Sequence, residues 1–274
     1  MKSLLLHLGR LLLPRRFHFS TFCPAFLRSR VIKRSQLRVV SGPFQGMQYI
    51  EQSFASVFEP KLLGIYEREL HETIEEAVRL GFTQVVDVGA AEGYYAVGLA
   101  LRLPKATVWA FEKNERARSL IRLIAERNNV SDRVHAMGLC RTEDLAAIMP
   151  DNEKTLVVCD AEGAEATLLN PQLIPGLRDS CLIVEVHTKT APGVVEILRN
   201  RFSSTHHIRT IEQQARTELD YPYQSFPVTF FPRAYIENAV SEFRQPWQNW
   251  MIWFWMKPKY YGANGSGHCH HLHA

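Results

Sequence analysis

Long apolar runs, patterned cysteines, internal repeats and early acidic residues are all missing from this 274-residue chain. No apolar run approaches the ~18 residues needed to cross a bilayer, so the sequence predicts no spanning helix. The five cysteines are odd in number and irregular in spacing. That argues against a disulfide framework and for a reducing, cytoplasmic compartment. Cys140, Cys159 and Cys181 fall in or beside predicted strands, where a thiol acts as a small hydrophobe. Residues 1–50 hold nine Lys/Arg and no Asp or Glu, although the whole chain is only +4. The basic excess therefore belongs to an N-terminal arm and the remainder is net acidic, which gives little reason to invoke nucleic acid. What is present is a hydrophobic share of 46%, enough for a full core. The length suits one α/β domain with a cap or small appendage.

The arm, residues 1–36, spaces Leu4, Leu5, Leu8, Leu11 and Leu12 as on a helix among scattered arginines. Three readings stay open: a peripheral membrane or partner-docking helix, an organelle transit segment, or a helix packed on the domain. The last residues, 258–274, form a Gly/Ser-flanked tail with four histidines and Cys269. It is read as flexible, although such residues can chelate a metal.

Between the ends, Leu37–Ile50 predicts a short hairpin around Gly42 and Gly46. Lys61–Leu80 predicts one helix ended by Gly81, and residues 37–80 together read as a cap. From residue 81 to 257, strands alternate with helices. The strands are Gln84–Val88, Ala106–Phe111, Arg133–Leu139, Thr155–Cys159, Cys181–Val186 and His206–Glu212. The helices are Gly93–Leu103, one capped by Asn114 and reaching Asn128, Glu143–Met149, one starting near Gly163, and Pro192–Phe202 with its proline in the first turn. Residues 213–249 lack a clean period. Trp250–Met256 is apolar on both faces, which requires a strand buried on both faces. Slotting it between the fifth and sixth strands, antiparallel to the rest, satisfies that.

The most informative stretch is Val85–Tyr95. An apolar strand ends in Asp87 and Gly89, and a helix starts near Gly93, the layout of a nucleotide-type cofactor site. The turn lacks the Gly-x-Gly-x-x-Gly fingerprint and carries Glu92 near the helix start. A pyrophosphate needs that place free of negative charge. A cofactor with a positive centre tolerates the acid, so S-adenosylmethionine suits it better than NAD.

Four segments resemble the class I S-adenosylmethionine-dependent methyltransferases, most of all their FkbM-type group. They are Asp87–Tyr95, Phe111-Glu112-Lys113, Val158–Glu165 (with the Asp-x-Glu-Gly-x-Glu pattern from Asp160) and Val184–His187. Glu92 stands where that family often has Asn, and Ala161 where it often has a β-branched residue. The resemblance implies a Rossmann-like sandwich: a mostly parallel seven-stranded sheet, one late antiparallel strand and an N-terminal cap. It implies methyl transfer from S-adenosylmethionine to an oxygen of a small molecule or sugar.

Each candidate residue has its chemistry. Asp87 would orient turn amides or the cofactor ammonium. Gly89, Ala90, Glu92, Gly93 and Tyr94 form the cofactor turn, and Glu112 would accept the ribose hydroxyls. The stem of Lys113 would cover the adenine, and Leu139 would touch it. Asp160 and Glu162 follow the fourth strand at the sheet's carboxyl edge, where open α/β folds place ligands. Glu185 and His187 share a side of the fifth strand, and His187 could act as base or be structural. Asp160, Glu162, Glu185 and His187 could also cradle Mg²⁺, although no dedicated metal motif is present. Tyr66, Tyr94, Tyr95 and the aromatics of 213–249 (Tyr221, Tyr223, Phe226, Phe230, Phe231, Tyr235) would line the acceptor pocket. An NAD-dependent oxidoreductase and a non-catalytic binding protein remain the alternatives.

Overall fold

The computed structural model describes residues 28–149, 154–223, 233–242 and 251–262. Most of the arm, most of the histidine tail, Trp250, Phe226, Phe230 and Phe231 therefore lie outside the described residues, as does the side chain of Tyr235. The chain divides into two compact units, residues 1–68 with 214–246, and residues 69–213 with 247–274.

The larger unit is built on a seven-stranded sheet ordered β3-β2-β1-β4-β5-β7-β6. Its strands are β1 Gln84–Val88, β2 Thr107–Phe111, β3 Val134–Met137, β4 Thr155–Cys159, β5 Cys181–His187, β6 His206–Glu212 and β7 Met251–Pro258. All neighbours from β3 through β5 are parallel, and β7 runs antiparallel to both β5 and β6. The late apolar strand thus occupies the slot its pattern demands: Trp253, Phe254, Trp255 and Met256 are all buried. This order, with one reversed strand beside β5, is the mostly parallel seven-stranded sheet with a late antiparallel strand that the resemblance implies. One face of the sheet buries Val86, Val88, Val157, Cys159, Val184 and Phe254 in a continuous apolar cluster. Each large aliphatic or aromatic side chain there contributes about 1.5–3 kcal/mol by leaving water.

Helices follow most strands. Asn114 accepts the amides of Arg116 and Ala117 and so caps Glu115–Arg127, whose Ala117, Leu120, Ile121, Ile124 and Ala125 face inward. Tyr94–Arg102 starts directly after Gly93, and Thr142–Ile148 precedes β4. Two local expectations fail. The helix after β4 is one turn, Glu165–Leu168, beginning two residues later than predicted. The helix after β5 is Val194–Phe202, capped by Gly193 at φ 80°, so Pro192 precedes its first turn instead of lying in it.

The predicted helix Lys61–Leu80 is broken. It consists of Phe58–Leu63, a 3₁₀ turn at Arg68–Leu70 and a second helix, His71–Leu80. Gly64 makes the break. It adopts φ 74°, and a Cβ there would sit 1.9 Å from the Ser41 carbonyl oxygen. Only glycine allows this close approach, which Ser41 Oγ reinforces by donating to Leu63 O at 2.7 Å. The expected hairpin is reduced to one antiparallel bridge, Arg38 to Gln48. Within the same smaller unit, Arg216 and Glu242 form a buried ion pair at 2.8 Å, and Glu242 also accepts the Glu67 amide.

In the larger unit, His71–Leu80 is tied to the sheet through Glu76. Its carboxylate accepts from Lys257 Nζ at 2.9 Å, Trp255 Nε1 at 3.1 Å and Arg209 at 3.2 Å. Arg102 clamps the same helix with two 2.7 Å bonds to Glu75.

Candidate active site

Strand register decides which acids meet. Asp87 lies level with Val158, and Val158 with Ile183, so the positions alternating with the apolar cluster fall on the sheet's other face. That face receives Asp87, then Asp160 just past β4, and Glu185 and His187 on β5. Glu185 is opposite Trp253 and His187 opposite Met251. All of them approach the carboxyl edge, where each parallel strand hands over to a loop.

The β1 turn is pressed against β4. Gly89 has φ 84°, and a Cβ there would stand 1.8 Å from the Asp160 carbonyl oxygen. The turn amides are already committed. Gly89 N and Ala90 N donate to Phe111 O at 2.9 and 3.0 Å, and Gly93 N donates to Ala90 O at 2.7 Å. Ala91 N donates to Glu112 Oε2 at 3.1 Å, while Asn114 N donates to Glu112 Oε1 at 2.7 Å. Glu112 thus clasps the turn to β2, and each of its oxygens keeps a second lone pair for a ligand. Arg118 was not foreseen. It donates to the carbonyls of Glu112 and Lys113 at 2.7 and 2.9 Å, holding the strand tip from one helical turn away. Its position a few residues after the acid was the only signal.

Asp87, Ala90, Glu92 and Tyr94 are buried, Glu92 completely. Tyr94 meets Tyr95 edge-on at 5.6 Å. Lys113 is exposed, and Leu139 is a large hydrophobe 58% exposed beyond β3.

The densest chemistry surrounds His187. After Asp160 the chain passes through two left-handed residues, Glu162 at φ 53° and Gly163 at φ 108°. A non-glycine residue there costs roughly 1–3 kcal/mol. The kink sends Glu162 outward, with a side chain 74% exposed, and turns Glu165 back beneath His187. Glu165 is buried, and its Oε1 lies 2.8 Å from His187 Nδ1 while accepting the Gly163 amide at 3.0 Å. The carboxylate therefore accepts a hydrogen bond from Nδ1–H and leaves Nε2 as the ring's working nitrogen. Nε2 lies 3.5 Å from both Asp160 Oδ1 and Glu162 Oε2, too far for well-formed hydrogen bonds. Spacing along the chain would equally allow Glu165 on a solvated helix face; the kink buries it against His187 instead.

Burial alone would depress the His187 pKa. The Glu165 hydrogen bond and the charges of Asp160, Glu165 and Glu162 outweigh it and hold the imidazole above 6.5. Burial likewise pushes the Glu165 carboxyl up, but His187 and the backbone amides bring it below the usual range. One ligand atom each from Asp160, Glu185 and His187 lies within 4.8 Å of the others, and Glu162 is not in that group.

No family model matches this chain. Release factor glutamine methyltransferase from Gloeobacter violaceus is 31% identical over 103 residues, 38% of this chain. That match spans about a third of the relative's length, 31%. The solved structure of a precorrin-6y C5,15-methyltransferase from Geobacter metallireducens GS-15 is similar over 74% of this chain and 92% of its own, with 14% identity and a TM-score of 0.47. An O-methyltransferase from Bacillus cereus, solved in complex with SAH, is similar over 76% and 89%, with 15% identity and a TM-score of 0.42.

Proposed function

We propose that this protein is an S-adenosylmethionine-dependent methyltransferase acting on a hydroxyl oxygen of a small molecule or sugar. The observation that carries this reading is the acidic carboxyl edge, with one histidine held by its Nδ1 and presenting Nε2.

The donor set fits the cofactor. Asp87, Glu92, Glu112 and Asp160 converge on the β1 turn, and no basic side chain belongs to the turn itself. Four turn amides that a pyrophosphate would need are bonded within the protein. A cationic ligand suits such a rim; a dinucleotide does not. Glu112 would hold the ribose hydroxyls through its remaining lone pairs. Gly89, Ala90, Gly93 and Tyr94 would line the floor, with Lys113 and Leu139 beside the adenine. Asp87 and the buried Glu92 would supply negative potential beneath the cationic part.

When bound, S-adenosylmethionine supplies an already activated methyl electrophile. The chain's own task is then to align an acceptor and take its proton. His187 Nε2 accepts that proton, and Glu165 stabilises the resulting imidazolium. Asp160 and Glu162 orient the acceptor from the other side of Nε2. A divalent cation held by Asp160, Glu185 and His187 would compete for the same nitrogen. The basic arm would add contact with an anionic membrane surface, a cytoplasmic protein being held peripherally.

Calorimetric titration with S-adenosylhomocysteine and, separately, NADH tests the cofactor reading. Heat with the first and none with the second is expected; tight NADH binding without the other would overturn it. Labelled methyl transfer to cell extract by the wild type but not by His187→Asn, at equal cofactor affinity, separates catalysis from binding alone.

A further inference from the structure

A pocket lies at the amino-terminal edge of the sheet, away from the acidic carboxyl edge, where Val194–Phe202 ends and β5 and β6 begin. It has a volume of about 460 Å³ and is lined by Gln172, Arg178, Asn200, Arg201, Ser204 and Thr205. That volume falls in the range of small-ligand sites. No carboxylate is among its described lining residues.

Its two arginines meet no counter-charge among the described residues. Arg102, Arg118 and Arg209 elsewhere in the unit each meet a glutamate. Arg178 makes no hydrogen bond or ion pair, and Arg201 makes no ion pair, among the described residues. Arg201 is nonetheless fixed in place. Its Nη1 donates to the carbonyls of Ala166 and, at 3.0 Å, Leu169. A guanidinium carries five N–H donors, so one edge anchors it and donors remain. The loop opposite is set by Asn170, whose Oδ1 accepts the Gln172 amide at 3.0 Å.

His206 Nε2 donates to Ser180 O at 2.9 Å, which leaves Nδ1 to accept from the Thr205 hydroxyl at 2.8 Å. Burial pulls the His206 pKa down, with the Lys259 charge acting the same way against the Ser180 hydrogen bond. Thr205 is thereby committed, while Ser204, Asn200 and Gln172 supply further donors. Lys259, whose amide bonds Thr205 O at 2.9 Å, adds a third cation at this edge.

We propose that this pocket binds a phosphate monoester, gripped by Arg178 and Arg201 and oriented by Ser204 and Asn200. Guanidinium forks match phosphate oxygens in pairs, and that of Arg201 is already held in place. The phosphate belongs either to a soluble metabolite or to a membrane headgroup, and the chemistry is the same.

The full chain is titrated with glycerol 3-phosphate, following the Ser204 and Thr205 amides by NMR, and separately with phosphatidic acid vesicles by sedimentation. Arg178→Ala is compared in both, because Arg201 also anchors Ala166 and Leu169. Loss of one charged contact should weaken binding about tenfold. Weakening of the glycerol 3-phosphate arm identifies a soluble ligand; weakening of the vesicle arm alone identifies a headgroup. Ser204→Ala, a smaller change, should weaken the same arm less. If Arg178→Ala binds both probes as tightly as the wild type, or if neither probe binds the wild type, the proposal fails.

Discussion

His187 uses its two nitrogens for different jobs. Nδ1 is bound to Glu165 at 2.8 Å, and Nε2 faces the acids at 3.5 Å. As the proposed base, His187 must be neutral to accept a proton, and its pKa is held above 6.5. Methyl transfer should therefore rise with pH through a value above 6.5, because the imidazolium that prevails below it cannot act. Glu165→Gln removes the charge that holds the value up, so a pH–rate profile should show the acid limb moving to lower pH. A limb that stays in place would rule out Glu165 as the positioning residue. Removing Glu165 altogether strands a buried partner, and Glu165→Ala should cost about 3 kcal/mol in denaturant unfolding. The stabilising window has two edges. The His187 share is lost as pH rises through its raised value, and the Glu165 share as pH falls through its lowered one. At Gly89, an added methyl would collide with the Asp160 carbonyl at 1.8 Å on a backbone of φ 84°. Gly89→Ala should destabilise by about 3 kcal/mol and abolish cofactor binding with it, as thermal unfolding and calorimetry would show.

Among the elements, β7 and the helix His71–Leu80 are locked together by Glu76. Burial works against its charge, yet the bonds from Lys257 and Trp255 and the charge of Arg209 bring its pKa below 4.5. Glu76→Ala should cost about 1–2 kcal/mol, since it leaves the Trp255 indole N–H unsatisfied. Because the folded value is depressed, that difference should be present at neutral pH and fade as pH falls below about 4.5. Stability of wild type and variant measured across about pH 3–7 checks the sign. Strand positions were legible in the sequence because a strand buried on both faces can contain little but apolar residues. Trp253–Met256 announced its central place in that way. Helix breaks were less legible. Gly64 looked like any helical glycine until the Ser41 carbonyl closed on it, and Glu165–Leu168 is a single turn because Glu162 and Gly163 kink first. Both depend on segments far apart in sequence or on φ values that residue type alone does not dictate.

For the whole molecule, S-adenosylhomocysteine at about a hundred times its Kd should raise stability by about 2.7 kcal/mol, and NADH should leave the melting temperature unchanged. Activity should persist in EDTA if, as proposed, His187 Nε2 serves the acceptor and not a metal; loss on chelation and recovery with Mg²⁺ would favour the cation instead. The sequence by itself determined the alternation of strands and helices, the reversed strand, the acids at the strand tips and the absence of a pyrophosphate turn. All of these follow from which residues can be buried and which cannot, a property each segment carries alone. Only the tertiary structure decided that Glu112 clasps the β1 turn, that Glu165 and not Glu162 holds His187, and that Arg178 and Arg201 share a pocket. Those outcomes depend on strand register and loop kinks, which bring together groups whose spacing along the chain says nothing about their separation in space.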